Sequence, residues 1–170
     1  MKKGNITYPY YIVEFKEHLN FKDKILNIIE GINLPFHSNE NGIIKKTDYF
    51  IEDKLNKPYA DLLESELQKV INEVVGIRYK FDKVSCWFQQ YDKYNTHSWH
   101  NHGLASWACV YYVELDTKAP ATQFKSFDNN EIKLNVKEGD ILFFPGFLLH
   151  RSPPNLSIKR KTVIAFNLFE

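Results

Sequence analysis

A chain of 170 residues, 44% hydrophobic and 25% charged, has the length of one domain and can bury about 70% of its unfolded surface without covalent staples. A formal net charge of +1 leaves no electrostatic footprint for a nucleic-acid partner, and no apolar run approaches the ~20 residues of a membrane span. Met1-Lys2-Lys3 is basic, but the segment behind it is broken by Pro9 and Glu14 and makes no signal peptide. The chain therefore reads as soluble and intracellular.

Two further features stand out. Aromatic residues make up 15% of the chain, which favours strands and a β-rich core. Of 22 basic residues, only Arg78, Arg151 and Arg160 are arginine. The two cysteines, Cys86 and Cys109, form neither a disulfide framework nor a zinc pattern. Both lie in apolar strand-like segments and read as buried free thiols.

In chain order, residues 10–15 form a candidate strand. Asn20 can cap a helix over 20–29 that stops at Gly31, and 35–41 reads as loop. Pro58 suits a helix first turn. From 59 to 75, Leu62, Leu63, Leu67, Val70, Ile71, Val74 and Val75 recur at spacings of three and four, so a long amphipathic helix is expected there. After Lys83 the period falls to two, with candidate strands at 84–91, 106–115, 122–126, 131–136, 141–144 and 162–169. Gly-, Pro- and Asn-rich turns separate them. Helices first and closely spaced strands second predict an α+β, mainly β chain, with helices backing a sandwich or barrel.

The chemistry concentrates in four of the six histidines. Three lie in Thr96-His97-Ser98-Trp99-His100-Asn101-His102-Gly103, and the fourth is His150. His18 and His37 are isolated and read as surface residues. In a strand, residues two apart share a face, so His100 and His102 can reach one metal ion, and a barrel can fold His150 beside them. Three such ligands with open positions suit a redox metal that also binds substrate or oxygen; zinc is compatible too. His97, three residues before His100, falls on the other face of a regular strand, where it would contact substrate or support a ligand. If Arg160, Thr162, Ile164 and Phe166 share the inner face of the last strand, Arg160 enters the barrel near the metal and calls for an anion, which its fork binds at two points. A strand-end arginine also suits the surface. Arg151 either steers an anion at the mouth or is solvated. Trp87, Trp99 and Trp107 either line a pocket or pack in the core.

Together, His100-x-His102, Cys109-Val-Tyr-Tyr112, Gly139-Asp-Ile-Leu-Phe-Phe-Pro145, His150 and Arg160-Lys-Thr-Val-Ile-Ala-Phe resemble the iron(II)/2-oxoglutarate-dependent oxygenases. The resemblance covers residues 84–170 and is nearest to the prolyl-hydroxylase-like branch, with its small bacterial and phage members. It implies a double-stranded β-helix, or jelly roll, as the catalytic core over 84–170, with 1–83 as helical N-terminal support of a single domain. It implies Fe(II) held by His100 and His150, and 2-oxoglutarate as co-substrate with its far carboxylate on Arg160. Tyr112 resembles a tyrosine that hydrogen-bonds that carboxylate, and Tyr91 resembles a further co-substrate contact. The family normally has Asp or Glu where this chain has His102. Three neutral imidazoles leave the ion at +2, which dianionic 2-oxoglutarate would neutralise; otherwise His102 does not coordinate. The implied activity is hydroxylation of a small molecule or protein side chain with release of succinate and CO2, in the cytoplasm, or the host cytoplasm for a phage-encoded member. Two other readings fit the residues: a cupin-like three-histidine dioxygenase or isomerase that needs no 2-oxoglutarate, and a non-catalytic jelly-roll binding module.

Overall fold

The computed structural model describes residues 7–39, 42–126 and 128–170; Met1-Lys2-Lys3 and the last two residues of the expected 35–41 loop lie outside the described residues. In chain order the elements are β1 (Tyr11–Glu14), α1 (His18–Gly31), β2 (His37–Asn39), β3 (Gly42–Ile44), β4 (Lys46–Thr47), α2 (Pro58–Val74), β5 (Cys86–Tyr91), β6 (Thr96–His100), β7 (Trp107–Glu114), β8 (Gln123–Lys125), β9 (Glu131–Lys133), β10 (Asp140–Pro145), β11 (His150–Ser152) and β12 (Lys161–Leu168). One sheet has the order β1-β10-β7-β12-β5-β4 and the other β2-β3-β6-β11-β8-β9. Every pairing is antiparallel. This is a jelly roll with two helices packed on the outside of the first sheet.

Sequence periodicity explains the helices. α2 begins at Pro58, where a missing N–H costs nothing. It lays Tyr59, Ala60, Leu63, Leu67 and Ile71 onto the sheet, all fully buried. Each large apolar side chain so buried contributes about 1.5–3 kcal/mol. α1 starts earlier than Asn20 suggests. His18 opens it, and Asn20 lies inside the first turn with its amide donating to Glu17 Oε2 at 2.6 Å. His18 is buried rather than at the surface, its Nδ1 2.7 Å from the Tyr111 hydroxyl.

The sheet that carries β12 is covered on both faces. Its outer face meets the helices in a core of Ile25, Ile29, Leu63, Leu67, Phe88, Tyr111, Phe143, Ile164 and Phe166, among others. Its inner face meets the second sheet through Tyr91, Ala108, Tyr112, Leu142, Phe144 and Val163, with Phe124 across from them. Cys86 and Cys109 are free and buried, and burial raises both thiol pKa values. Residues from the first half of the chain enter both sheets: β1 pairs with β10, β4 with β5 and β3 with β6. β2 occupies part of the segment expected as loop, and β6 and β11 are short strands that periodicity missed.

Among the described residues, no helix is long and apolar enough to cross a membrane.

Candidate metal centre

β6 and β11 lie side by side with His150 directly opposite His100. That register puts two imidazoles across one ladder, their ring centroids 4.3 Å apart. His102 joins them from beyond the strand end. Its N–H donates to Gly146 O at 2.8 Å and its carbonyl accepts from Ala105 N at 3.1 Å. A turn, rather than the alternation expected for His100-x-His102, therefore delivers the third ring. Gly146 permits the approach, because a Cβ there would stand 2.3 Å from Ala105 O. One nitrogen from each of His100, His102 and His150 lies within 4.8 Å of the others.

The donor chemistry fits a divalent transition ion. His100 Nδ1 is 2.7 Å from Ser98 O and His150 Nδ1 is 2.8 Å from Leu148 O. A carbonyl only accepts, so each Nδ1 carries the proton and each Nε2 keeps a free lone pair. Burial lowers the pKa of all three rings; the nearby imidazoles add to this for His102, held at about 4, and for His150, held well below its ordinary range. The rings are thus neutral ligands at neutral pH. Among the described residues, no carboxylate joins the cluster.

His97 also faces inward, contrary to the expectation for a regular strand. Between the pairs His150–His100 and Ser152–His97, two residues of β11 span three of β6. This β-bulge adds one residue and rotates His97 to the side of His100. The two rings stack with centroids 4.0 Å apart and planes 27° apart.

The histidines stand between two chambers that share Trp87, Gln89, His97, His100 and His102. The inner chamber, about 40 Å³, lies between the sheets. The outer one, about 440 Å³, opens toward His37, Tyr49 and Phe50.

Tyr91 and Tyr112 both line the inner chamber. The Tyr91 hydroxyl donates to Gln89 Oε1 at 2.8 Å. The Tyr112 hydroxyl donates to Thr122 Oγ1 at 2.8 Å, and burial raises its pKa to about 12.

Arg160 does not reach the chamber. Its Nε and second terminal nitrogen bind the two Glu114 oxygens at 2.8 and 3.2 Å, and its other terminal nitrogen binds Glu30 on α1. The cause is strand parity. In β12, Lys161, Val163 and Ala165 face the chamber, while Ile164 and Phe166 face the helices. Arg160 lies just ahead of the strand, on the helix-facing side.

Lys161 occupies the position that the sequence reading gave to Arg160. It is 1% exposed and lines the inner chamber. Its Nζ donates to Ser152 Oγ at 2.6 Å and Pro120 O at 3.2 Å, and lies 4.7 Å from the Tyr91 ring centroid. Among the described residues no carboxylate pairs with it, and burial lowers its pKa to about 7. Adjacent Arg160 and Lys161 offered no local signal to choose between them, because both faces of the strand are apolar.

The other expected contacts separate. Arg151 lines the chamber, but its guanidinium is held by Gln123 and Glu131 and lies 4.6 Å from the Trp99 ring centroid. Trp107 packs on Tyr11 at 5.6 Å. Trp87 alone of the three tryptophans lines the chambers, stacked on His102 at 5.5 Å and 18°. His37, expected at the surface in isolation, stacks on Phe50 at 4.1 Å and lines the outer chamber. Asn167, which the sequence reading did not single out, stands beside the His102 ring, and its buried Oδ1 makes no well-aligned hydrogen bond.

No protein-family model matches the chain, and no curated protein is similar to it. Solved structures do match. A collagen prolyl hydroxylase of Paramecium bursaria Chlorella virus-1, in a 2-oxoglutarate complex, aligns with a TM-score of 0.62 at 16% identity, covering 94% of each chain. A prolyl-4-hydroxylase of Pseudomonas putida aligns at 0.68 and 11% identity, covering 96% of this chain and 94% of that one. SnoN, a non-heme α-ketoglutarate-dependent epimerase of nogalamycin biosynthesis, aligns at 0.69 and 6% identity, covering 95% and 77%. This chain thus shares the fold of the 2-oxoglutarate/iron(II) oxygenases, its prolyl-hydroxylase-like branch included.

Proposed function

We propose that the protein is an Fe(II)- and 2-oxoglutarate-dependent oxygenase that hydroxylates a substrate and releases succinate and CO2. The observation that carries this reading is Lys161: a buried amine with no carboxylate partner among the described residues, in the same chamber as three convergent imidazoles. A buried cation without an anion is costly. A ligand that brings a carboxylate to Lys161 and a chelating group to the metal relieves both deficits, and 2-oxoglutarate has that shape and charge.

In this reading His100, His102 and His150 hold iron(II). With dioxygen and 2-oxoglutarate, the bound ion supplies the oxidising power for the reaction. The chain's own groups bind, orient and exclude water. Lys161 takes the far carboxylate, steadied by Ser152 and the Tyr91 ring. Thr122 and Tyr112 present hydroxyls on the same wall, and Phe144, Val163 and Ala165 keep it dry. The Nδ1 bonds of His100 and His150 fix the tautomer that ligates. Arg160 is assigned to support rather than to the co-substrate. Residues 84–170 would carry the chemistry, braced by 1–83.

The test is calorimetric titration of 2-oxoglutarate into anaerobic Fe(II)-loaded protein, followed by assay of succinate in air. Binding at one site that depends on both metal and Lys161 is expected. Absence of binding overturns the reading. The all-histidine ligand set also suits a cupin-like dioxygenase; metal-dependent turnover without 2-oxoglutarate would select that reading instead.

A further inference from the structure

The outer chamber differs in chemistry from the inner one. Among the described residues, its lining contains no Lys, Arg, Asp or Glu. Lys54 sits 5.3 Å from the Tyr49 ring centroid but lines a neighbouring hollow with Lys57. A charged group entering the outer chamber would lose water and, the ion apart, find no charged side chain among the described residues to offset that loss.

Its walls are aromatic. Trp87 stacks on the ligand His102, Tyr49 meets Trp87 edge-on at 5.2 Å, and Phe50 meets Tyr49 at 5.0 Å. Tyr49 is 49% exposed and Phe50 57% exposed, so these rings are not spent on the core. Their segment is held from beneath. Asp48 is buried, accepts from Phe88 N at 2.8 Å and from the Tyr59 hydroxyl at 2.5 Å, and so fixes the chain just before Tyr49. The carboxamides Gln89, Asn101 and Asn167 complete the lining. Asn167 Oδ1 is a buried acceptor beside the His102 ring with no aligned donor.

The geometry points to a prime substrate that is a small molecule with an uncharged ring bearing an N–H or O–H donor, the ring lying on the Trp87–Tyr49–Phe50 wall and the donor meeting Asn167 Oδ1. This deepens the oxygenase reading and rests on it for the chemistry, but the recognition can be measured separately. A chamber of this size matches small-molecule sites, and one neutral donor group would satisfy the orphaned acceptor.

The experiment uses ligand-detected NMR on metal-free full-length protein, so that no ion at the histidines attracts, repels or coordinates a charged probe. The probes are four compounds on one ring: benzamide, methyl benzoate, benzoate and benzylammonium. Benzamide should bind at least about tenfold more tightly than either charged probe. It should exceed methyl benzoate, which lacks the donor, by about fivefold, and Asn167→Leu should erase that difference. Tyr49→Ala and Phe50→Ala, at exposed positions that leave the core intact, should each weaken benzamide about three- to tenfold. Charged probes that bind as well as benzamide, absence of binding by all four, or Tyr49 and Phe50 variants that bind benzamide unchanged would each overturn the inference. If 2-oxoglutarate does not bind while the benzamide preference holds, the oxygenase reading falls and the substrate class stands. The converse result has the opposite meaning.

Discussion

The two buried faces of the sheet that holds β12 spend their polar groups differently. On the helix side, Arg160, Thr162, Glu114 and Glu30 close on one another. Asp48 is likewise matched by Tyr59 and the Phe88 amide. There are two exceptions: His18 Nε2 lacks a hydrogen bond but faces Glu138 at 3.5 Å, and buried Lys57 has no ion pair among the described residues but donates its Nζ to Cys86 O. On the chamber side, among the described residues, Lys161 has no anion, Asn167 Oδ1 has no aligned donor, and the free Nε2 lone pairs of His100 and His150 converge beside the His102 ring. Saturated polar contacts mark the face that supports. Unsaturated ones mark the face that binds, because each has a desolvation cost that only a ligand offsets.

That contrast can be broken by substitution. The largest effect is expected for His150→Ala, which removes the ligand opposite His100; metal affinity should fall by more than about 100-fold, measured by competition with a chelator. Retained stoichiometric binding would dissolve the site.

Lys161→Met should raise the dissociation constant of 2-oxoglutarate about 10- to 100-fold. It should also raise the melting temperature of the free protein, since an unpaired buried charge is replaced by an apolar chain of similar length. Loss of stability together with loss of binding would make Lys161 structural.

Binding of 2-oxoglutarate should also depend on pH. In the free protein Lys161 releases its proton near pH 7, whereas a bound carboxylate would hold it. Above pH 7 binding must therefore take up a proton, and the dissociation constant should rise by up to about tenfold per pH unit. Calorimetry in buffers of different ionisation enthalpy reads that uptake directly. Stability of the free protein runs the other way. The unfolded chain keeps its lysine protonated up to an ordinary value, so it binds more protons than the folded state above pH 7, and stability gains from Lys161 as pH rises through that window.

On the supporting face the effects are smaller and confined to stability. Tyr59→Phe removes a donor from buried Asp48 and should cost about 1–3 kcal/mol in urea unfolding. Arg160→Ala should cost about 1 kcal/mol and leave 2-oxoglutarate affinity within about twofold. A large loss of affinity in Arg160→Ala, with Lys161→Met unaffected, would reverse the assignment of the two residues.

Much of the candidate site was legible in the chain. His100, His102 and His150 stood out by type and spacing, as did the tyrosines now found on the chamber wall. The α2 helix followed from its apolar period and Pro58, and the change to period two after Lys83 announced the strands. Other features were not legible, for identifiable reasons. β6 and β11 are too short and polar to show a period. The bulge that turns His97 inward depends on the partner strand. Asn167 acquires its role only from standing beside His102.

Period, turn residues and histidine spacing are local properties, and they were enough to specify a mainly β chain with backing helices and a cluster of metal-type ligands. Tertiary structure alone decided which of Arg160 and Lys161 meets the chamber. A strand buried on both sides is apolar on both faces, so its parity is set by packing against α1 and α2 rather than by its own pattern. Once those helices take Ile164 and Phe166, Lys161 is left inside with its charge unpaired.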